Sequence, residues 1–315
     1  MGALFVVVTG CSSSGDVLAT ATSASSTTAS TPPPTTALPT TVPAPSTAPA
    51  TTVPPPSSAP PSAPSSAAPG PGEPATLVRV DDGDTIVVRT SADEATVRLV
   101  GVNAPERGEC GADAATTRLR SLLGSPGPMR LARDVSDTDQ YGRLLRYVEV
   151  DGLDVGGVLV REGFALARRY PPDLARAATY DAAQAAAEHD RVGLWARNAC
   201  GPAAAAVLAF VVVHPDAAGD DNKNLNDEYV VLENRGSAPV DLTGWVVRDT
   251  SSSHRYTFRS LVLAPGARVT LRSGCGTETA TERFWCASGS AIWNNSGDTA
   301  YLLDPSGNIV AQRGW

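Results

Sequence analysis

The chain has 315 residues, enough for two domains of ordinary size, and carries a net charge of −8 at neutral pH. That negative balance argues against a protein that binds nucleic acid through a broadly basic surface. Residues 17–72 contain no charged and no aromatic side chain, only Ala, Ser, Thr, Pro, Gly and a few aliphatic residues. Such a segment cannot bury enough apolar surface to fold, so residues 12–74 are predicted to be a disordered Ala/Ser/Thr/Pro tether.

The chain begins with a short apolar run, MGALFVVVTG, that ends at Cys11. The stretch VTGC resembles the lipobox of bacterial lipoproteins, in which the cysteine receives lipid and becomes the new N-terminus. The alternative is an ordinary secretory signal with an incidental cysteine. The run is too short to span a membrane. Residues 1–11 are therefore predicted to be a lipoprotein-type signal, which places the mature protein outside the cytoplasm, anchored to the membrane through Cys11 or secreted.

The cysteine count also favours export. If Cys11 carries lipid, the remaining four cysteines can form two disulfides in any of three connectivities. The sequence fits best with Cys110 bonded to Cys200 in the first folded region and Cys275 bonded to Cys286 in the second. A zinc site is the competing interpretation, but it has no C-x-x-C pair and only three scattered histidines to draw on.

Residues 75–200 read as a small barrel with inserted helices. Three strands are predicted first (TLVRV, TIVVRT, ATVRLVGV), then a helix that ends at Gly124 (ADAATTRLRSLLG), then two strands (MRLARD, LLRYVEV) and an Ala-rich closing helix (DLARAATYDAAQAAAEHDR). Five short strands with helices between them are typical of a closed barrel.

Four polar stretches stand out against this scaffold. DDGDT (81–85) links the first two strands, Arg98 lies on the third, NAPE (103–106) ends it, and DQYGRLLRY (139–147) leads into the fifth. Each has a simple structural explanation, because Asp-Gly favours a hairpin turn and an arginine side chain can reach the surface from a buried stem. Together they place two arginines and several carboxylate or amide groups around one end of the barrel, which indicates a site.

The order and spacing of DGDT, VRLVGVNAPE, DQYGRLLRY, LVREGFALA and GLW resemble the thermonuclease family, which staphylococcal nuclease typifies. The resemblance covers about 120 residues. It implies an OB-fold barrel and calcium-dependent hydrolysis of phosphodiester bonds in DNA or RNA. For the metal, it implies ligands from the Asp84 carboxylate, the Asn103 side chain and the Ala104 backbone carbonyl.

The same resemblance assigns phosphate binding to Arg98 and Arg143 and the role of catalytic carboxylate to Glu106. These residue types suit the reaction, because a phosphodiester under attack gains negative charge that a hard cation and planar guanidinium groups can neutralise. A carboxylate can take a proton from the attacking water or orient it. Asn103 stands where the best-studied member has aspartate, so the ion would meet one formal negative charge fewer and bind less tightly.

Charge counts within residues 75–198 limit non-specific binding. This stretch has 16 Arg and no Lys against 19 acidic residues. Affinity for nucleic acid must then depend on the local arginines and the metal. Tyr141 and Tyr170 are predicted to contact the substrate by stacking on bases or touching phosphate, with core packing as the alternative for both.

Residues 205–315 have a different pattern, in which short alternating strands are broken by Gly, Pro, Asn and Asp. This is typical of a β-sandwich. EYVVLENRGSAPVDLTGWVVRD, LAPGARVTLRSG and WNNSGDTAYLLDPSGNIV resemble the lamin tail domain, which implies an immunoglobulin-like fold and no reaction. The acidic loop 216–229 is predicted to be a solvated turn and not a calcium site, and Trp245 and Trp293 are predicted to lie in the core.

Two classes of function follow. The first is a monomeric, surface-tethered, calcium-dependent nuclease whose second domain positions it on the envelope or on substrate through a ligand that the sequence does not identify. The second is an envelope protein that keeps the nuclease fold only for binding. Arg98, Arg143 and Glu106 together favour the enzyme, since a binding scaffold has no need of a carboxylate beside two arginines.

Overall fold

The computed structural model describes residues 72–251 and 253–315. The predicted signal segment 1–11, the lipidation site Cys11 and nearly all of the tether lie outside these residues. The one part of the tether that is described corrects its boundary: strand β1 begins at Glu73, because Glu73, Pro74 and Ala75 pair with a later strand of the barrel. No helix in the described part is long and apolar enough to cross a membrane.

The strands of the first domain alternate with short connections. They are β1 (Glu73–Val80), β2 (Thr85–Arg89), β3 (Glu94–Leu99), β4 (Val102–Asn103), β5 (Met129–Ala132), β6 (Leu144–Val150), β7 (Leu153–Asp154) and β8 (Leu166–Ala167). Hydrogen bonds connect them in the order β3, β2, β1, β5, β6, and β3 also pairs with β6 in parallel, which closes the barrel. Ile86 and Val97 pair across β2 and β3 and are fully buried inside it. The predicted OB-like barrel is confirmed.

Three helices pack on the barrel: α1 (Ala112–Leu123), α2 (Val155–Arg161) and α3 (Ala177–Asp190). The N–H of Gly124 closes the end of α1 as predicted. Helix α2 was not predicted, because its two glycines weaken helix propensity. The Asp154 side chain caps the helix by accepting the N–H of Gly157, and the helix packs so closely on Tyr180 that a side chain at Gly156 would clash with it.

The closing helix is shorter than predicted. It was expected from Asp173 onward but begins at Ala177. The Asp173 carboxylate instead accepts the backbone N–H groups of Val135 and Ser136, which ties this segment to the strand connection before β6. An Asp in this role favours a turn over a helix interior. A single 3-10 turn at Gly193–Trp195 follows α3.

The second domain consists of β-sheets. Its strands are β9 (Leu208–His214), β10 (Tyr229–Asn234), β11 (Val240–Asp241), β12 (Val246–Arg248), β13 (Arg255–Thr257), β14 (Val262–Leu263), β15 (Arg268–Arg272), β16 (Glu282–Phe284), β17 (Thr299–Leu303) and β18 (Ile309–Gly314). One four-stranded sheet has the order β16, β15, β10, β9, and another has the order β13, β12, β17, β18. The predicted sandwich is confirmed, and Trp245 and Trp293 lie in its core.

The acidic loop of this domain is held by the protein itself. The Asn295 amide donates to the carboxylates of Asp216 and Asp221, and two 3-10 turns occupy the rest of the loop. Strand β16 was not predicted, because its sequence is mostly polar and does not alternate between polar and apolar residues. It pairs in parallel with β15.

Covalent and apolar contacts join the two domains. The cysteines lie at disulfide distance in the two favoured pairs, Cys110 with Cys200 and Cys275 with Cys286. The first pair ties the start of α1 to the segment that leads into the second domain. Across the junction, Leu166 of the first domain packs with Tyr301 and Leu303 of the second, and all three are buried. The domains therefore share a buried apolar contact beside β8.

Candidate active site

A cavity of about 370 Å³ opens at one end of the barrel and collects nearly all the predicted site residues. Its lining includes Asp84, Arg98, Asn103, Glu106, Tyr141, Arg143 and Tyr170. The predicted backbone ligand Ala104 lies just behind this lining and is 3% exposed. Residues from β3, from the turn that leads into β2, from β4 and the turn after it, and from the loop before β6 therefore meet in one place.

Asp84 occupies the turn into β2 and is 6% exposed. Its Oδ2 accepts the backbone N–H of Ala104 at 2.8 Å, and its Oδ1 accepts the Thr85 hydroxyl at 3.1 Å. Burial raises the pKa of this carboxyl above its usual value; Arg98 opposes the shift and the neighbouring Asp82 adds to it. The carboxylate is thus fixed in place but stays dependent on nearby positive charge.

Arg98 supplies that charge. It projects from β3 between Asp84 and Asn103, with Nη2 at 2.8 Å from Asp84 Oδ2 and 3.0 Å from Asn103 Oδ1. Nη1 donates to the backbone carbonyls of Leu99 and Val102 at 2.7 and 2.9 Å. Most of the guanidinium donors are therefore engaged by the protein itself.

Asn103 lies at the end of β4 and is held from both sides. Its Oδ1 faces Arg98, while its Nδ2 donates to the backbone carbonyl of Thr250, in the second domain, at 3.1 Å. Asn103 is 2% exposed, so this hydrogen bond is shielded from water. The second domain thereby fixes which end of the amide faces the cavity.

The residues that the resemblance assigned to calcium fit a hard cation. The Asp84 carboxylate and the Asn103 amide oxygen converge on one positively charged atom, Arg98 Nη2, so both point to a common position. Both are oxygen donors of the kind that calcium takes. Within residues 72–251 and 253–315 there is no cluster of three or more His, Cys, Asp or Glu side chains that could hold a metal by themselves. Any ion here would rely on amide and backbone oxygens as well.

Glu106 stands at the rim of the cavity in the turn after β4 and is exposed. Its backbone N–H donates to Glu109 Oε2 at 3.1 Å, and Glu109 in turn forms an ion pair with Arg255 of the second domain. The turn that carries Glu106 is thus braced across the domain junction, and Glu106 itself lines the cavity at a solvent-exposed position.

Arg143 approaches from the loop before β6. Its Nε lies 2.7 Å from Asp139 Oδ2, and the Asp139 side chain is 7% exposed. Burial raises the pKa of Asp139, but hydrogen bonds from Arg143 and from the Tyr141 N–H outweigh it and hold the pKa below its usual value. The Arg143 guanidinium lies 5.4 Å from the centre of the Tyr141 ring, which is 74% exposed. Tyr141 is therefore not a core residue, and its ring is available for stacking.

Sequence reasoning missed three residues of the lining: Arg168, Ser251 and Ser253. Arg168 follows β8, and the only sequence signal for it is its place two residues before Tyr170. The serines belong to the β12–β13 connection of the second domain, about 150 residues along the chain from Asn103. No local motif links that connection to the barrel, so only the tertiary structure reveals it.

Comparison with known proteins agrees with this arrangement. Residues 96–197 match the family described as staphylococcal nuclease homologue, and residues 202–315 match the Lamin Tail Domain. The thermonuclease of Staphylococcus intermedius is 32% identical over 133 residues, which cover 40% of this chain and 78% of the relative. Two proteins of Bacillus subtilis strain 168 are each 34% identical over 131 residues, or 39% of this chain: endonuclease YncB and the SPbeta prophage-derived endonuclease YokF.

The matched segment spans 62% of YncB and 44% of YokF, less than two thirds of either. It spans 78% of the staphylococcal enzyme, and the micrococcal nuclease of Shigella flexneri is matched over 71% of its length at 31% identity. On the strength of these matches and of the barrel that carries the motif residues, the chain belongs to the staphylococcal nuclease family and has a lamin tail domain after its nuclease domain.

Proposed function

We propose that this protein is an exported, calcium-dependent nuclease, tethered to the cell surface, that hydrolyses phosphodiester bonds of DNA or RNA. The observation that carries the proposal is the cavity in which Arg98, Arg143 and the Glu106 carboxylate meet beside Asp84 and Asn103. The names of the relatives, thermonuclease and endonuclease, agree with this activity. The lipobox-like start and the two disulfide pairs support export.

Calcium would be held by the Asp84 carboxylate, the Asn103 amide oxygen and the Ala104 carbonyl, and it would supply positive charge to the phosphate under attack. The chain's own residues do the remaining work. Arg143 presents a guanidinium to the phosphate oxygens, and the exposed Tyr141 ring beside it offers a face for a base. Arg98 opposes the rise that burial causes in the pKa of Asp84, and it lies next to the same position.

Hydrolysis needs water to form a bond to phosphorus while the bond to the leaving ester oxygen breaks. Glu106 is placed at the open rim of the cavity, where it can take the proton of that water. The arginines then stabilise the added negative charge, a contribution that is large when the donors are fixed in advance. Asp139 holds Arg143 through two hydrogen bonds and so provides this fixing.

One observation favours the alternative of a nuclease-fold binding protein. Arg98 donates to two backbone carbonyls, to Asn103 and to Asp84, which leaves few of its donors for a phosphate. In that case the cavity would bind nucleic acid without cleaving it. The second domain would serve as a targeting or binding module whether the protein cleaves nucleic acid or only binds it.

The test is digestion of single-stranded DNA, duplex DNA and RNA by the mature protein in millimolar calcium, then with a chelator. Cleavage that needs calcium and disappears in Glu106→Gln supports the proposal. Binding of the same nucleic acids without cleavage would support the alternative. Cleavage that persists in both the chelator and the Glu106→Gln protein would reject the assigned site.

A further inference from the structure

Arg168 enters the active-site cavity from the junction of the two domains. Strand β8 pairs with β4, with Leu166 opposite Asn103, and the Arg168 N–H donates to the Gly101 carbonyl at 2.8 Å. This pairing carries the Arg168 side chain to the edge of the active-site cavity. The same side chain lines a neighbouring cavity of about 190 Å³, whose other wall includes Thr250 and Ser251 of the lamin tail domain.

Arg168 differs from Arg98 and Arg143 in having no carboxylate partner among the residues that the structure describes. Arg98 and Arg143 have carboxylates at 2.8 and 2.7 Å, whereas the Arg168 side chain makes no ion pair or hydrogen bond with the residues the structure describes. Burial lowers the pKa of Arg168, and the positive charge of Arg98 lowers it further. A partly desolvated guanidinium beside another cation is costly unless an anion joins them.

The nearest acidic groups of the lamin tail domain are occupied elsewhere. The Asp249 carboxylate accepts hydrogen bonds from Ser251 and bonds to His254 Nδ1 at 2.9 Å. Asp298 accepts from the Thr250 hydroxyl and the Thr299 N–H. Both carboxylates favour the positively charged form of Arg168 from a distance, but within the described residues neither forms a hydrogen bond or ion pair with its guanidinium.

Arg168 lies beside the Tyr170 ring in the same way that Arg143 lies beside the Tyr141 ring. The Arg168 guanidinium lies 5.5 Å from the centre of the Tyr170 ring, and the Arg143 guanidinium lies 5.4 Å from that of Tyr141. Both tyrosines are exposed and line the same cavity. The cavity thus offers two guanidinium groups, each beside an exposed ring, which suits two successive nucleotides of one strand.

We propose that Arg168, with Tyr170 beside it and the lamin tail serines Ser251 and Ser253 on the facing wall, binds the phosphate that neighbours the cleaved phosphodiester. The inference rests on the proposed function and gives it a substrate preference. A strand with at least two phosphates should bind better than a dinucleotide with one. Part of this subsite comes from the lamin tail domain, so the tail takes part in substrate selection.

The kinetic test compares three small substrates: dithymidine monophosphate, and the same dinucleotide with an added terminal phosphate on its 5′ or on its 3′ end. With wild-type protein, one of the two phosphorylated forms should have a lower KM than the unphosphorylated dinucleotide. Arg168→Ala should remove that gain, raising this KM about tenfold or more, as expected for a lost charge-assisted contact. The same substitution should change KM on the unphosphorylated dinucleotide by a clearly smaller factor than on the preferred phosphorylated form.

Arg169→Ala is the matched control, because Arg169 is the adjacent residue, is exposed and is paired with Asp181. It should behave as wild type. Arg168→Lys should recover part of the gain, since it restores charge without the planar fork. Ser253→Asp, which adds negative charge on the tail wall, should also weaken the phosphorylated substrate selectively. Equal effects of the two Arg→Ala variants, or an equal loss on all three substrates, would overturn the proposal.

A binding measurement separates this inference from the nuclease proposal. Fluorescence anisotropy of a labelled thymidine hexanucleotide in chelator reports binding without cleavage. Arg168→Ala should make the dependence of log Kd on log salt shallower by about 0.7, the value for one phosphate contact on a single strand. If wild-type protein binds with this Arg168 dependence yet cleaves nothing, the nuclease proposal fails and the subsite stands. An unchanged salt dependence would reject the subsite.

Discussion

Asn103→Asp tests two roles of one side chain: its hydrogen bond to the lamin tail domain and its proposed part in binding calcium. The change replaces the Nδ2 donor by an oxygen that faces the Thr250 carbonyl oxygen, 3.1 Å away from the present nitrogen. The position is 2% exposed, so water does not replace the lost bond. An unsatisfied buried acceptor costs about 1 to 3 kcal/mol.

The new charge adds two opposing effects. It attracts Arg98 Nη2, which already contacts Asn103 Oδ1 at 3.0 Å, and it repels the Asp84 carboxylate on the other side of the same nitrogen. These effects largely cancel without a metal, so the lost bond to Thr250 decides the result. In chelator, N103D should be less stable by about 1 to 3 kcal/mol, and each kcal/mol lowers the Tm by about 2 to 4 °C for a protein of this size.

Calcium should reverse the difference. A second carboxylate strengthens calcium binding, and a ligand that binds only the folded protein raises its stability with concentration. Calorimetry across a calcium titration should show the Tm of N103D rising faster than that of wild type, with a lower midpoint. Asn103→Ala is the control, because it also removes the donor but adds no charge, so calcium should not close its deficit. Equal Tm values for N103D and wild type in chelator would refute the role of Thr250.

Three further predictions concern other parts of the molecule. Arg143→Ala should lower kcat by about 10²–10³-fold, the usual cost of losing one charge-stabilising donor. Arg120→Ala is the control and should leave kcat unchanged, because Arg120 is exposed on α1. Equal kcat values for the two variants would remove Arg143 from the site. The hydrogen bond to Asp249 raises the pKa of His254 above its usual 6.5. The interaction of protonated His254 with Asp249 therefore stabilises the fold fully below pH 6.5, and this stabilisation is lost as the pH rises through the raised pKa. The Tm gap between wild type and His254→Gln should therefore narrow with increasing pH above 6.5, and a constant gap would contradict the assignment. Cys11→Ser should release the protein from membranes in a fractionation experiment, whereas retention would reject the lipid anchor.

The sequence predicted much of the barrel and most of the residues that line the cavity, because both depend on local patterns. Ile86 and Val97 follow strand alternation, Gly124 is a typical helix end, and Asp84, Arg98 and Asn103 stand in short motifs with a fixed order. Helix α2 was missed because its stability comes from the Asp154 cap and the Tyr180 contact, which overcome two glycines. Arg168 could not be assigned because its place at the cavity depends on the pairing of β8 with β4, which is a tertiary property.

The hydrogen bond from Asn103 to Thr250 also bears on how such proteins can be rearranged during evolution or in the laboratory. Recombination usually treats a catalytic domain and an appended sandwich as exchangeable parts. Here a catalytic-domain amide depends on one backbone carbonyl of the appended part. A chimaera with a different tail would have to offer an acceptor at the same position, or else accept a substitution at Asn103 as well. The pair is therefore expected to be inherited together, with residue 103 changing when its tail changes.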